Sequence, residues 1–263
     1  MLRVGLIGYG AIAQFVHKAL PSANAKIVLI IVRPDKCAKA RSALGPDINV
    51  VECLGNERPD IVVDCAGHSA LQKHGVEILS AGVPLITVSI GALADQSLHN
   101  QLSEAAMAGS TTLRLSSGAI GGLDALASAQ HGCLKSVTYI GCKPPNGWRG
   151  SRAEDIINLD NMGDEAVTHF EGSARDAALL YPKNANVAAA VALAGLGFDN
   201  TSVKLIADPN VSANTHEIRA NGDFGQMQFS IEGRTLPDNA RTSALAAMSV
   251  VKMLLEESSY ITF

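Results

Sequence analysis

Gly8, Gly10 and Ala13 stand at the spacing G-x-G-x-x-A, directly after the apolar run Leu2 to Ile7. A strand, a tight glycine turn and a helix start, in that order, build a cradle for a dinucleotide pyrophosphate. Gly8 permits the turn, Gly10 lacks the Cβ that would block the phosphate, and Ala13 is small enough for close helix–strand packing. The first N–H groups of the helix, at Ala11, Ile12 and Ala13, then face the negative charge. A glycine turn in an unrelated α/β protein is the competing reading. The strand before the motif and the helical pattern after it favour the dinucleotide.

The second strand bears on which dinucleotide binds. An acidic residue about 20 positions beyond the glycines normally takes the adenosine ribose hydroxyls and repels a 2′-phosphate. Here the run Lys26 to Val32 ends in Arg33-Pro34-Asp35. A guanidinium at Arg33 can stack on adenine or pair with a 2′-phosphate, and Asp35 can still serve the 2′-hydroxyl. The expected cofactor is NAD or NADP; a solvated arginine at a strand end is the plain alternative. Two small-residue turns follow other strands, Asp64-Cys65-Ala66-Gly67-His68 and Ser116 to Gly122. Ligands of open α/β sheets sit at such carboxyl ends, so Ala66 and Gly67 are cofactor candidates. Turn geometry alone would also require the glycines.

Seven histidines are candidates for proton transfer. His17, His74, His99 and His131 fall on predicted helices or their ends, where surface and packing roles are commoner. His68 lies near the cofactor turn, and His169 sits in an acidic, weakly patterned segment. His216 differs, entering a strand between polar neighbours in Ser212-Ala213-Asn214-Thr215-His216-Glu217. An imidazole there suits alternating proton donation and acceptance, and predicts a pH limb near neutrality. A satisfied structural histidine is the alternative. No acidic or histidine cluster has metal-ligand spacing, so no metal is expected.

The elements that must position these residues change character along the chain. Strands are predicted near 2–7, 26–32, 60–66, 84–89 and 111–116, with helices near 11–20, 69–81 and 95–108. Pro21 and Pro84 mark element boundaries. Strands that are apolar throughout and alternate with helices make a parallel sheet covered on both faces. After Gly118 the pattern shifts to strands near 135–142, 202–208, 213–220 and 226–231, with Asn221-Gly222 as a hairpin signal. Val187 to Leu196 reads as a buried helix, about half the length needed to cross a bilayer. A final helix is expected from about 240 to 257, with Leu245, Met248, Val250, Val251 and Leu254 at helical spacing. The predicted fold class is α/β: a Rossmann-type doubly wound parallel sheet, then an α+β domain with a largely antiparallel sheet. The dinucleotide-binding domain spans 1–118, with the C-terminal helix of 240–263 packing back on it, and 119–239 form a substrate and dimerisation domain.

Composition sets limits on partners. The chain has 263 residues, 47% hydrophobic and 17% charged, with a net charge of −4, so no basic field is present for nucleic acid. With the first strand starting at Leu2, no leader or membrane segment is expected. The five cysteines are an odd number without C-x-x-C, and are expected as reduced, mostly buried thiols in the cytoplasm.

Seven segments in order resemble the L-aspartate dehydrogenase family over nearly the whole chain. They are Gly-Leu-Ile-Gly-Tyr-Gly-Ala-Ile-Ala at 5–13, Ser-Gly-Ala-Ile-Gly-Gly-Leu-Asp-Ala-Leu at 117–126 and Lys-Pro-Pro at 143–145. Pro-Lys-Asn-Ala-Asn-Val-Ala-Ala-Ala at 182–190, Asp-Pro at 208–209, Asn-Thr-His-Glu at 214–217 and Arg-Thr-Ser-Ala-Leu-Ala-Ala at 241–247 complete the set. The resemblance implies that His216 is the catalytic histidine and that Ala119 and Asn186 contact the cofactor, with Asn184 the alternative in a shifted register. It further implies oxidation of L-aspartate through iminoaspartate to oxaloacetate and ammonia, or the reverse, with iminoaspartate a possible feed for pyridine nucleotide synthesis. A substrate with two carboxylates needs cationic or N–H donors at two points. Lys143, held by Pro144-Pro145, is the first candidate, ahead of Arg149, Arg152 and Arg241. The expected assembly is a homodimer through the second-domain sheet. The alternatives are an oxidoreductase of another small acid, of homoserine or dihydrodipicolinate type, and a non-catalytic NAD(P) sensor.

Overall fold

In a computed structural model of the chain, residues 1–20, 24–237 and 239–262 are described, apart from the side chains of Ala240 and Arg241. Pro21 therefore lies outside the described residues, as does the side chain of Arg241. The chain divides into two compact units, Met1–Ser116 with Ala246–Phe263, and Ser117–Leu245.

The first unit runs β1 (Leu2–Ile7), α1 (Ala11–Ala19), β2 (Ala25–Ile31), α2 (Pro34–Leu44), β3 (Asn49–Val51), β4 (Ile61–Asp64), α3 (His68–Ser80), β5 (Leu85–Thr87), α4 (Gln96–Ala108) and β6 (Leu113–Leu115). All its strands pair in parallel, in the order β3-β2-β1-β4-β5-β6. Val4, Leu6, Leu29, Ile30, Ile31, Val62 and Val63 are fully buried, because helices cover both faces of the sheet. The strand order reverses between β1 and β4, and the crevice beyond their carboxyl ends is where such sheets take ligands. Helix α2 and strand β3 were not expected. The α2 sequence is polar, with only Cys37 and Ala40 buried, and β3 has three residues.

The second unit contains α5 (Leu123–Ala129), β7 (Leu134–Lys143), β8 (Val167–Ser173), α6 (Ala174–Leu180), α7 (Asn186–Ala194), β9 (Thr201–Ala207), β10 (Asn214–Gly222), β11 (Gly225–Gly233), β12 (Thr235–Leu236) and β13 (Asn239–Ser243). Its five-stranded sheet has the order β11-β10-β7-β9-β8; β7 and β9 run parallel and the other pairs are antiparallel. Helices α6 and α7 pack on β7, β8 and β9. The side chains of Val137, Tyr139 and Lys143, alternating along β7, are buried on one face with Val203, Leu205 and Ala207 of β9. Strand β8 was missed by the sequence pattern, and the hairpin turn falls two residues later than expected. Pairing continues through Asn221↔Gln226 and Gly222↔Gly225, leaving Asp223 and Phe224 as the turn, because Gly222 fits closely over the Cys133 carbonyl.

Helix α8 (Ala244–Glu256) returns to the first unit. It starts later than expected because 239–243 pair with β12 as strand β13. Its Val250, Met253 and Leu254 join Val4, Leu6, Val16 and Ile30 in one core, whereas Met248 is exposed. Ser116 and Ser249 share a buried hydrogen bond of 2.6 Å, and Arg114 pairs with Glu256 and Glu257. The thiols depart from expectation: Cys37 is buried, Cys65 and Cys142 are intermediate, and Cys53 and Cys133 are exposed, because the last two lie in connecting loops. Among the described residues, no helix is long and apolar enough to cross a membrane.

Candidate functional site

In the first unit, the end of β1 turns at Gly8, whose φ of +81° is a left-handed conformation that favours glycine. A Cβ on Gly8 would also lie 2.7 Å from the Cβ of Ala66, so the turns after β1 and β4 touch. Gly10 plays a different part. A Cβ there would meet nothing within 4 Å, because the residue faces an open cleft. Gly10 caps α1 without a side-chain hydrogen bond, and Ala13 is fully buried beneath. The unshared N–H groups at Ala11, Ile12 and Ala13 therefore border the space that Gly10 leaves clear.

The cleft measures about 780 Å³ and is lined by Gly8, Gly10, Arg33, Cys65 and Ala66 among others. That volume suits a nucleotide-sized ligand. Its cationic rim consists of Arg33, Lys36, Lys39 and Lys73. Arg33 is exposed at the start of α2, with Nε 3.7 Å from Asp35 Oδ1. Asp35 lies 3.0 Å from Lys36, and these cations hold its carboxyl below the usual range. The one acid in this turn is thus already neutralised by its neighbours. Asp64 anchors the wall from below: buried, it accepts from the Ala66 N–H at 2.9 Å, from Thr87 Oγ1 at 2.8 Å and from Ser89 Oγ. Gly67 caps α3, which begins at His68. The residues present fit a nicotinamide dinucleotide on the clearance at Gly10, the helix start and the cationic rim.

The second unit gathers a different chemistry. His216 lies on β10, buried, directly opposite Gly141 of β7. Its Nδ1 is 2.7 Å from the Tyr139 hydroxyl, and the two rings stack at 19°. The hydroxyl occupies the space above Gly141, where a Cβ would lie only 2.7 Å from it. Burial pushes the Tyr139 phenol up, so it stays protonated. A hydroxyl can donate to Nδ1 or accept from Nδ1–H, so the ring is satisfied whether Nε2 is a donor or an acceptor. Burial, and then the charge of Lys143, lower the His216 pKa to about 4. The limb expected near neutrality is therefore displaced in the free site, because a phenol, unlike a carboxylate, does not stabilise the imidazolium.

Lys143 ends β7 on the same face, buried beneath the turn Pro145–Trp148. Its Nζ donates to Asn184 Oδ1 at 2.6 Å and stands 4.6 Å over the Trp148 ring. Both partners are neutral, and burial lowers the lysine pKa to about 8. Asn184 is thereby committed to Lys143, and Asn186 is the first residue of α7. Ala119 is buried in the turn before α5, where Gly121 and Gly122 lie against the Phe229 ring. Packing accounts for Gly121, where a Cβ would lie 2.8 Å from that ring, and a left-handed φ of +72° accounts for Gly122. Arg149 pairs with Asp160 at the surface. His17 bonds to Tyr9 at 2.7 Å, and His74 is buried on α3.

The sequence pattern missed Tyr181 and Trp148, and left His169 a histidine candidate in a weakly patterned segment with no strand assigned. His169 is buried on β8, with Nδ1 3.1 Å from the Tyr181 hydroxyl and its ring 4.4 Å from that of Trp148. A β-bulge at this residue breaks the alternation that would have marked the strand.

A family model for the C-terminal part of aspartate dehydrogenase matches residues 124–257, and one for the NAD-binding domain of homoserine dehydrogenase matches residues 5–116. The chain is 52% identical to the L-aspartate dehydrogenase of Ruegeria pomeroyi, covering 99% of this chain and 94% of that one. It is 46% identical to that of Cupriavidus necator, covering 97% of each. Among solved structures, an aspartate dehydrogenase from Thermotoga maritima superimposes with a TM-score of 0.76 at 27% identity, covering 100% of this chain and 99% of that one. An archaeal homoserine dehydrogenase in complex with NADPH gives 0.59 at 10% identity, covering 97% and 98%, a likeness of fold.

Proposed function

The chain belongs to the aspartate dehydrogenase family, and on that premise we propose that His216 moves the protons of L-aspartate oxidation while Lys143 grips a substrate carboxylate. The protein is an NAD(P)-dependent oxidoreductase acting on the amine-bearing carbon of L-aspartate. The full reaction takes L-aspartate, oxidised cofactor and water to oxaloacetate, ammonium, reduced cofactor and a proton. The bound nicotinamide supplies the acceptor for the hydride leaving C2. Gly8, Gly10, Ala11, Ile12 and Ala13 would hold the pyrophosphate, and Ala66 and Gly67 the adjoining wall. Arg33, with Lys36 beside it, would accept a 2′-phosphate. Ala119 and Asn186 are kept as cofactor contacts on the family resemblance.

The observation that carries the substrate reading is Lys143. It is a buried cation whose near partners, Asn184 and Trp148, are both neutral, and no carboxylate pairs with it among the described residues. Such a charge is costly until an anion arrives. A substrate carboxylate supplies that anion and holds the ammonium protonated. It also cancels the positive field on His216, moving that ring's pKa back up in the complex. His216 Nε2 then takes a proton from the water that adds at C2 of the imine, with Nδ1–H donating to Tyr139. The same ring returns the proton to the departing amine nitrogen. The free thiols suit a reducing cytoplasm, and Ile140 and Ile206, half-buried on the opposite sheet face, suit a homodimer.

The test is initial rates with L-aspartate, and with oxaloacetate plus ammonia, against NAD and NADP, for wild type and His216→Ala. Loss of a general acid–base group costs about 10²- to 10⁴-fold in kcat, with cofactor affinity retained. Near-normal turnover in the folded variant would remove His216 from the chemistry.

A further inference from the structure

His169 is a buried side chain of the second unit to which the reaction so far gives no part. Its ring is buried, and Nε2 has no hydrogen-bond partner among the described residues, while Nδ1 is held by Tyr181. Native structures rarely leave a buried ring nitrogen unpaired, because the lost hydration is not recovered. The backbone is built to put it there. Thr168 pairs with Ile206 and Phe170 with Leu205, so His169 is the extra residue of a β-bulge. In a regular strand, neighbours point to opposite faces. Here His169 and Phe170 both reach Tyr181, with ring centroids at 5.4 and 5.5 Å. The bulge turns one more side chain toward the face that carries Lys143 and His216. Trp148 joins the two halves of this cluster, lying 4.4 Å from the His169 ring and beneath Lys143 Nζ at 4.6 Å.

We propose that His169 is a specificity-determining residue whose Nε2–H, together with the Lys143 ammonium, receives the side-chain carboxylate of the substrate. With Tyr181 donating to Nδ1, the ring carries its proton at Nε2 and presents a donor. Burial and the Lys143 charge lower the ring's pKa to about 4, so it stays neutral and adds no second buried cation. Placement selects the carboxylate. The α-carboxylate is attached to C2, where His216 acts from β10. His169 is on β8, three strands away across β7 and β9. The carboxylate remote from C2 is the one that lies toward it.

The inference rests on L-aspartate as substrate, so its test separates binding from turnover. His169→Phe keeps a ring of similar size and removes the donor. A hydrogen bond to a charged group supports an expected rise in KM for L-aspartate of about ten- to hundredfold, with kcat changed less than about threefold. Preference for L-aspartate over L-alanine, which lacks the side-chain carboxylate, should shrink by the same factor. His169→Gln, which retains an N–H at similar reach, should recover most of the KM. Calorimetric titration with succinate reads the subsite without any chemistry, and His169→Phe should weaken it at least tenfold. A wild-type enzyme that binds succinate but does not oxidise L-aspartate would defeat the activity reading; the succinate ratio between variant and wild type would then decide for His169 by itself. KM and succinate affinity within twofold of wild type in both folded variants would overturn the proposal. A fall in kcat with KM unchanged would overturn it too, by making the ring a proton-transfer group.

Discussion

Replacing Tyr139 with Phe removes one oxygen from the centre of the second unit and tests whether that oxygen holds the reacting ring. In the native protein the hydroxyl lies 2.7 Å from His216 Nδ1, with both side chains buried. Its loss removes a hydrogen bond worth about 1 kcal/mol net, and leaves a buried ring nitrogen unsatisfied at about 1–3 kcal/mol. The aromatic packing survives, since the rings stack through their faces at a centroid distance of 6.1 Å. Melting should therefore fall by about 2–4 °C per kcal/mol lost, a modest change for a chain of this size. The kinetic loss should be larger. With Nδ1 unheld, the imidazolium formed at Nε2 loses its partner and the ring is free to tilt, and misplacement of a catalytic group by about 1 Å costs about 10²-fold. We expect kcat for L-aspartate to drop about ten- to hundredfold, with KM for the oxidised cofactor unchanged, measured by the rise in absorbance of the reduced cofactor. A variant that melts lower yet turns over within twofold of wild type would reduce Tyr139 to packing. A loss confined to cofactor affinity would place its effect in the wrong unit and refute the argument as well.

Two other outcomes follow from the same geometry. Gly10→Val fills the space that admits the pyrophosphate but meets no protein atom within 4 Å, so NADH binding by fluorescence should be lost while the melting temperature stays near wild type; retained affinity would move the phosphate elsewhere. His216 has a pKa of about 4 in the folded protein against 6.5 for an unburied ring. A depressed folded value means that its stabilising contribution is present above pH 6.5 and is lost as pH falls through 4, about 3 kcal/mol in all. His169 contributes with the same sign. The melting temperature of wild type should thus fall more steeply between pH 6.5 and 4 than that of His216→Gln, and parallel curves would contradict the assignment.

The first unit was largely legible because a parallel sheet covered on both faces writes its strands as unbroken apolar runs, and because Gly8 and Gly10 mark a turn with one physical purpose. Helix α2 escaped notice since its buried side consists of Cys37 and Ala40 alone. In the second unit, His216 and Lys143 stood out through their neighbours in sequence, Asn214 and Thr215 in one case and Pro144 and Pro145 in the other. Their partners did not. Asn184 reaches Lys143 from the loop before α7, and Tyr139 reaches His216 across a ladder pair, contacts that only the folded chain creates. His169 was hidden for a different reason: a bulge abolishes the period-two signal by which a half-buried strand is recognised, at the residue whose direction it changes.

The return of α8 to the first unit has a consequence for how the protein comes into being on the ribosome. Domains usually fold as they emerge, N-terminal ones first. Here the sheet that begins at Leu2 lacks Val250, Met253 and Leu254, part of its own core, until the whole second unit and α8 have been made. The sheet behind the nucleotide cleft is thus begun before the second unit and completed after it. In the interval the second unit already has all of its described strands. A nascent chain stalled short of α8 would leave exposed the apolar surface that Val250, Met253 and Leu254 cover in the first unit.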